Sequence, residues 1–169
     1  LAYYDALTGL PNRLLFVEQV RRALAQARRR NQKVALMVVD LDNFKRINDS
    51  LGHGAGDEVL RIVGQRMQTT VRTYDTVGRE SDGLAVSSVA RMGGDEFLLS
   101  VVELESGEQA AVVGRRLLEA MTEPVHLDSG PLYVSASVGI SIFPDDGDDF
   151  EALLKHADTA MYHAKQTGR

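Results

Sequence analysis

The chain contains no cysteine, which excludes a disulfide framework and any thiolate metal or redox site and is compatible with a reducing compartment. It also lacks an apolar run near the roughly 20 residues that cross a bilayer, and its first residues lack the basic-then-apolar order of a signal peptide. The expectation is a soluble, cytoplasmic segment with no membrane contact of its own, whatever other domains of a parent protein do. Positive charge is in deficit. Lys and Arg number 19 against 24 Asp and Glu, a formal net charge of −5, which argues against a broad polyanion-binding surface and against nucleic acid as a partner. A small phosphate pocket needs only a few local cations and amides, so it stays open. The one basic cluster, Arg21, Arg22, Arg28, Arg29, Arg30 and Lys33, reads as the solvated face and C-terminal end of a helix. Internal repeats and low-complexity segments are absent.

What is present suits one globular domain. With 169 residues, 44% apolar and 25% charged, the chain can bury roughly two-thirds of its unfolded surface unaided. Leu1 is not a start residue and Arg169 closes a helix abruptly, so residues 1–169 are expected to be a single domain taken from a longer multidomain protein.

Periodicity places the elements. Pro11 to Arg30 reads as a helix with Leu14, Val17, Val20, Leu24 and Ala27 on its buried face. Lys33 to Asp40 is too continuously apolar and β-branched for a surface helix and reads as a buried strand. Asn43 would cap a short helix through Asp49, and a longer helix would run from about Ala55 to Arg72 with Val59, Ile62, Val63 and Met67 inward. Residues 78–89 read as an exposed, inserted loop rich in Gly, Ser and Asp. A hairpin follows over Arg91–Phe97, with Phe97 to Val102 as its return strand. Gly107 to Met121 is a third amphipathic helix, and Val125 to Leu127 is expected to pair with Tyr133 to Ile142 across Asp128-Ser129-Gly130. Phe150 to Gln166 closes as a helix with Leu153, Ala157, Ala160, Met161 and Ala164 buried. Helices alternating with strands, two of the connections being hairpins, imply an α+β sandwich, with a mixed, largely antiparallel central sheet covered by helices.

Chemistry concentrates at a few strand ends. In Arg91-Met92-Gly93-Gly94-Asp95-Glu96-Phe97, two glycines suit a type I′ turn that presents Asp95 and Glu96 at an exposed edge. Those acids are either a metal site or a solvated tip. Asp40 ends a different strand, and if the two strands are neighbours their carboxylates could share one or two hard cations, Mg²⁺ or Mn²⁺ by ligand type; otherwise Asp40 merely caps a helix. Asn43-Phe44-Lys45 opens a helix whose amides, with Lys45, suit an anion. Asn48 and Asp57 bracket a glycine-rich stretch, Gly52 to Gly56, and an amide with a carboxylate matches the edge of guanine; each alone is equally a helix-end residue. Lys165 and Arg169, four apart, share a helix face. No second His stands at ligand spacing to His53, which reads as a loop residue. The lead-in Asp5–Arg13 reads, on physics alone, as a tether.

Taken together these residues resemble one family, the GGDEF domains, diguanylate cyclases that condense two GTP into cyclic di-GMP. The resemblance covers nearly the whole chain, through Asp5–Arg13 (DALTGLPNR), Asp40–Asp57 (DLDNFKRINDSLGHGAGD), Arg91–Phe97 (RMGGDEF) and Ala160–Arg169 (AMYHAKQTGR), in the family's order. It implies a fold similar to the palm of nucleotide cyclases and polymerases. It further implies that Asp40, Asp95 and the Leu41 carbonyl hold two Mg²⁺ or Mn²⁺ ions, with Glu96 binding metal or helping to deprotonate the attacking hydroxyl. Its catalytic set is Asp95, Glu96 and Lys45. Asn48 and Asp57 would read guanine with His53 near the substrate, while the Phe44 amide, Lys45, Lys165 and Arg169 would hold the triphosphate. One site holds one GTP, so activity would need a homodimer, and sensor or phosphodiesterase domains would be attached. The alternative implied by the same family is a catalytically silent GTP-binding module that regulates an attached phosphodiesterase domain; a purely structural dimerisation domain would bind no nucleotide. Arg72-Thr73-Tyr74-Asp75 matches the family's Arg-x-x-Asp product-inhibition motif, but the 78–89 insertion follows it. Arg72 and Asp75 are therefore either an inhibitory cyclic di-GMP site or a surface helix-end pair.

Overall fold

The computed structural model describes residues 2–76 and 87–167. In chain order these form α1 (Arg13–Arg30), β1 (Lys33–Leu41), α2 (Phe44–Leu51), α3 (His53–Thr76), β2 (Ser88–Gly93), β3 (Glu96–Leu104), α4 (Gly107–Met121), β4 (Val125–Leu127), β5 (Gly130–Leu132), β6 (Ala136–Phe143) and α5 (Phe150–Gln166). The central sheet has the order β2-β3-β1-β6, and its pairings among the described residues are antiparallel. Helices cover it on both faces, the α+β architecture expected. Among the described residues no helix is long and apolar enough to cross a membrane.

The composition of β1 follows from its central position. Val34, Leu36 and Val38 enter one core with α1 and α5, and Ala35, Met37, Val39 and Leu41 enter the other with residues of α3 and α4. Burial on both faces explains the continuous apolar run. Alternation along the strand also puts Asp40 on the α1/α5 side. Local caps set the helix ends: Asn12 Oδ1 accepts the Leu15 amide at 3.1 Å and Asp149 Oδ1 that of Ala152 at 2.9 Å, while α1 stops at Asn31, in the left-handed region at φ 52°.

Several expectations need correcting. Leu14 is 61% exposed, because the buried stripe of α1 runs through Phe16, Val20, Leu24 and Ala27, and the Phe16 ring packs edge-on against Phe150 at 6.3 Å. Tyr133 to Ile142 does not pair with Val125–Leu127. That strand pairs with β5 in a short separate hairpin, whereas β6 lines the second edge of β1 from Val34↔Phe143 to Leu41↔Ala136. A long ladder on a central strand outweighs a local turn, because it satisfies an otherwise open edge. Helix α3 begins at His53, so Gly54 and Gly56 lie in its first turn, and only Gly52, at φ 91°, is a connecting residue. Asn43 makes no side-chain cap bond and sits at φ 58°. Ser88 and Val89 are the first residues of β2, paired with Ser100 and Leu99; residues 77–86 lie outside the described residues.

The hairpin tip also departs from a type I′ turn. Gly93 ends β2 and pairs with Glu96 across a register shift, leaving Gly94 and Asp95 as the turn. Gly93 has φ 141° and Gly94 φ 54°, but Asp95 is not left-handed. A type I′ loop needs positive φ at both turn residues. Glycine is required here one position earlier, at the strand end and the first turn residue.

Candidate active site

The end of β1 gathers residues from four elements. Register sets Asp40 opposite Glu96 on β3 and opposite Ser137 on β6. The Leu41 amide donates to the Asp95 carbonyl at 3.3 Å, fastening the hairpin tip to β1. From α5, Lys165 Nζ reaches Asp40 Oδ2 at 3.0 Å and Asp42 Oδ1 at 3.6 Å. Asp40 Oδ1 is buried and has no hydrogen-bond partner among the described residues.

Negative charge is in excess at this point. The Asp95 carboxyl is pushed up to about 6 by burial, then by hydrogen bonding to and repulsion from Asp40, with Lys165 opposing. Glu96 is raised by burial first and then by Asp158, Asp40 and Asp95, against the pull of Arg13. Asp158, on α5, is itself raised by burial. Carboxyls that repel each other around an unpartnered buried oxygen fit a hard cation, which would satisfy the oxygen and relieve the repulsion. No three Asp, Glu or His side chains among the described residues converge at ligand geometry.

Beside this cluster, α2 and α3 approach so closely that a Cβ on Gly56 would overlap Asn48 Oδ1, and it would lie 3.0 Å from Asn48 Cγ and 3.3 Å from the Phe44 ring. Gly56 thus seats the Asn48 amide on the first turn of α3, next to Asp57. Phe44 is half-buried, Lys45 exposed at the start of α2, and His53 exposed at the start of α3. Arg72 lies on the exposed side of α3. Arg169 and the side chain of Asp75 lie outside the described residues.

Residues that spacing alone did not assign surround the site. Asp5 accepts from the Thr8 amide at 2.9 Å, the Thr8 hydroxyl at 2.8 Å and Arg91 Nη1 at 3.1 Å. Arg91 also donates to the Gly94 carbonyl at 3.1 and 2.9 Å. Burial alone would raise the Asp5 carboxyl, but the Thr8 hydrogen bonds and Arg91 outweigh it and hold it below the usual range. The lead-in segment is therefore a clasp on the hairpin tip. Its partners lie 86 residues apart in sequence, beyond any local pattern.

A family model described as the GGDEF domain of diguanylate cyclases matches residues 2–169. The chain belongs to the GGDEF family. This GGDEF domain is 42% identical over its full length to the cyclic di-GMP phosphodiesterase NbdA of Pseudomonas aeruginosa, and 38% identical over 99% of its length to the diguanylate cyclase TpbB of the same organism. It spans only 20% and 36% of those two proteins. The solved structure of the TpbB GGDEF domain superposes with a TM-score of 0.88 at 38% identity, over 99% of this chain and 91% of that one. The GGDEF domain of DgcB from Caulobacter crescentus, solved in complex with cyclic di-GMP, superposes at 0.82 with 27% identity, over 99% of this chain and 92% of that one.

Proposed function

We propose that this GGDEF domain is a diguanylate cyclase, converting two GTP into cyclic di-GMP and two pyrophosphates across a homodimer in the cytoplasm, as one part of a longer protein with attached sensor or phosphodiesterase domains. The observation that carries the reading is the juxtaposition of Asp40, its unpartnered buried oxygen, and Asp95 beside Lys165. Asp40, the Leu41 carbonyl, Asp95 and Glu96 would hold two Mg²⁺ or Mn²⁺ ions. Bound there, the ions would stabilise charge on the α-phosphate and acidify the attacking 3′-hydroxyl. The chain's own groups position the reactants. The start of α2 with Phe44 and Lys45, together with Lys165 and Arg169, holds the phosphates. Asn48 and Asp57 select guanine over adenine by matching its donors and acceptors, with His53 at the rim. Glu96, whose carboxyl is raised above the ordinary range by burial and then by its acidic neighbours, is suited to take the hydroxyl proton. Attack in line on the α-phosphate of the second GTP needs two domains face to face, because each supplies one nucleotide.

The assay is direct: the purified, dimer-competent protein given GTP and Mg²⁺ should form cyclic di-GMP. A folded dimer that forms none overturns the reading. One observation favours a second reading, a silent GTP-binding module: NbdA, at 42% identity, carries the name of a phosphodiesterase. On that reading GTP would raise phosphodiesterase activity of the full-length protein without synthesis. Arg72, with Asp75, remains a candidate product-binding pair on α3, addressed by cyclic di-GMP titration of Arg72→Ala.

Gly56→Ala separates guanine recognition from stability. Alanine is favoured over glycine inside a helix by about 1 kcal/mol, so the fold should hold. The new methyl group displaces the Asn48 amide, and calorimetric titration should show GTP binding weakened about tenfold. Unchanged affinity would remove Asn48 from the pocket.

A further inference from the structure

We infer that Asp42 is a positioning residue, one that anchors Lys165 so that the lysine can exchange Asp40 for a nucleotide phosphate without leaving the site. The inference rests on the nucleotide-binding reading above and extends it to a residue which that reading does not use.

The geometry around Asp42 is that of a fixed anchor. Its side chain is 1% exposed. Ser135 Oγ donates to Oδ2 at 2.7 Å and Ser137 Oγ donates to Oδ1 at 2.8 Å. The Asp42 amide donates to the Ser135 carbonyl at 2.9 Å, so main chain and side chain are both tied to the segment leading into β6. A carboxylate taken out of water is costly unless it is hydrogen-bonded and paired. The serines supply hydrogen bonds but no opposite charge. Lys165, 3.6 Å from Oδ1, supplies it.

Asp40 differs in each respect. Its side chain is 21% exposed, it lies at the strand end, and one of its oxygens has no partner. It is the acid placed to take a cation. A divalent ion on Asp40 would repel an ammonium group 3.0 Å away, and the lysine would be driven off if Asp40 were its only tether. Asp42 retains it. An ammonium has three donors, so one held by Asp42 still has others to turn toward phosphate. The two unequal distances, short to the exposed acid and longer to the buried one, describe a lysine lying between an exchangeable partner and a permanent one.

The test uses the full chain with isotope-labelled lysine, the Lys165 side-chain signal being assigned by its loss in Lys165→Met. In wild type that signal should report an ordered ammonium without nucleotide, both before and after Mg²⁺ is added. Asp42→Asn, nearly isosteric, leaves the Asp40 contact in place and should release the lysine to a mobile-lysine signal once Mg²⁺ is added to occupy Asp40, and it should raise both the KM for GTP and the Kd for 3′-deoxy-GTP with Mg²⁺ about tenfold, with kcat within about twofold, the pattern of lost uniform binding. Adding Lys165→Met to Asp42→Asn should cause little further loss, since both act through one contact. A Lys165 that stays ordered in Asp42→Asn with Mg²⁺ present, or losses that simply add, would overturn the inference. Should Asp42→Asn not fold, Ser137→Ala, which removes one donor to the anchor, takes the same comparison. If wild type neither binds 3′-deoxy-GTP nor makes cyclic di-GMP, the functional reading fails, and order or release of the Lys165 signal still decides the anchoring.

Discussion

Asp95→Asn is expected to lower cyclic di-GMP formation by about a thousandfold or more while leaving the fold intact. The substitution removes one of the two carboxylates that face each other across β1 and the hairpin tip, and loss of several kcal/mol of charge stabilisation in a metal-assisted step corresponds to that range. The same variant carries a second signature in the metal-free protein. In the folded chain Asp95 keeps its proton up to about 6, against 3.8 for an ordinary Asp. The folded state therefore binds this proton more tightly than the unfolded state does. Stability contributed by the protonated form is lost as pH rises through that window, from about 4 to about 6. Asparagine has no proton to lose, so the melting temperature of the variant should show a smaller decline, the remainder coming from Glu96 and Asp158, whose carboxyls are also raised. Solvent screening at this half-exposed tip reduces the size of the effect but keeps its sign. Added Mg²⁺ should raise the wild-type melting temperature near pH 7 by binding the folded state, and raise that of the variant less. Chromatographic assay of product and thermal melts from pH 4 to 8, with and without Mg²⁺, read both arms. Equal turnover in variant and wild type would show that the hairpin is not the metal site.

How far the sequence discloses this site depends on the range over which each signal acts. β1 and the inward face of α3 are legible because β-branching and periodicity act within one element. Asp40 and Asp95 are legible as strand-end acids, and only the sheet order makes them neighbours. What eludes local reading is set by contacts between distant segments. Local pattern pairs β6 with the wrong partner because a nearby turn is visible in sequence and an open edge on β1 is not. The Asp5–Arg91 clasp and the Ser135 and Ser137 hydroxyls on Asp42 are long-range for the same reason. Asp42 stands two residues beyond Asp40, yet one is buried and anchored while the other is partly exposed with an unpartnered oxygen. The turn type is not legible because glycine's tolerance of positive φ does not say which of two glycines occupies the turn. Leu14 and Phe16 show the same limit on a helix: both lie near the apolar stripe, and the choice between them was made by Phe150 on another element.

Gly139→Ala is expected to lower the melting temperature by about 6–12 °C and to weaken GTP binding by the same displacement. Gly139 lies in β6 opposite Val38, where α5 crosses the sheet. A Cβ there would overlap the Ala157 carbonyl and the Met161 amide and come within 2.8 Å of Met161 Cβ. Two of those obstacles are helix backbone, which cannot rotate away as a side chain can. Either α5 lifts or the strand bends, an overpacking penalty of about 3 kcal/mol. In a strand free of α5 the same change would stabilise, since glycine costs about 0.5–1 kcal/mol relative to alanine in a strand interior. The sign of the shift thus tests the close approach itself. Function follows because Lys165 lies one turn beyond Met161 on the same helix and is within 3.0 Å of Asp40. Lifting α5 by even about 1 Å would carry the ammonium away from its acids and from a bound phosphate, so GTP binding should weaken about tenfold, the loss expected when the same lysine is released. Differential scanning calorimetry and GTP titration of the folded variant measure the two losses together. A variant as stable as wild type, or destabilised yet binding GTP normally, would separate the seating of α5 from the geometry of the site.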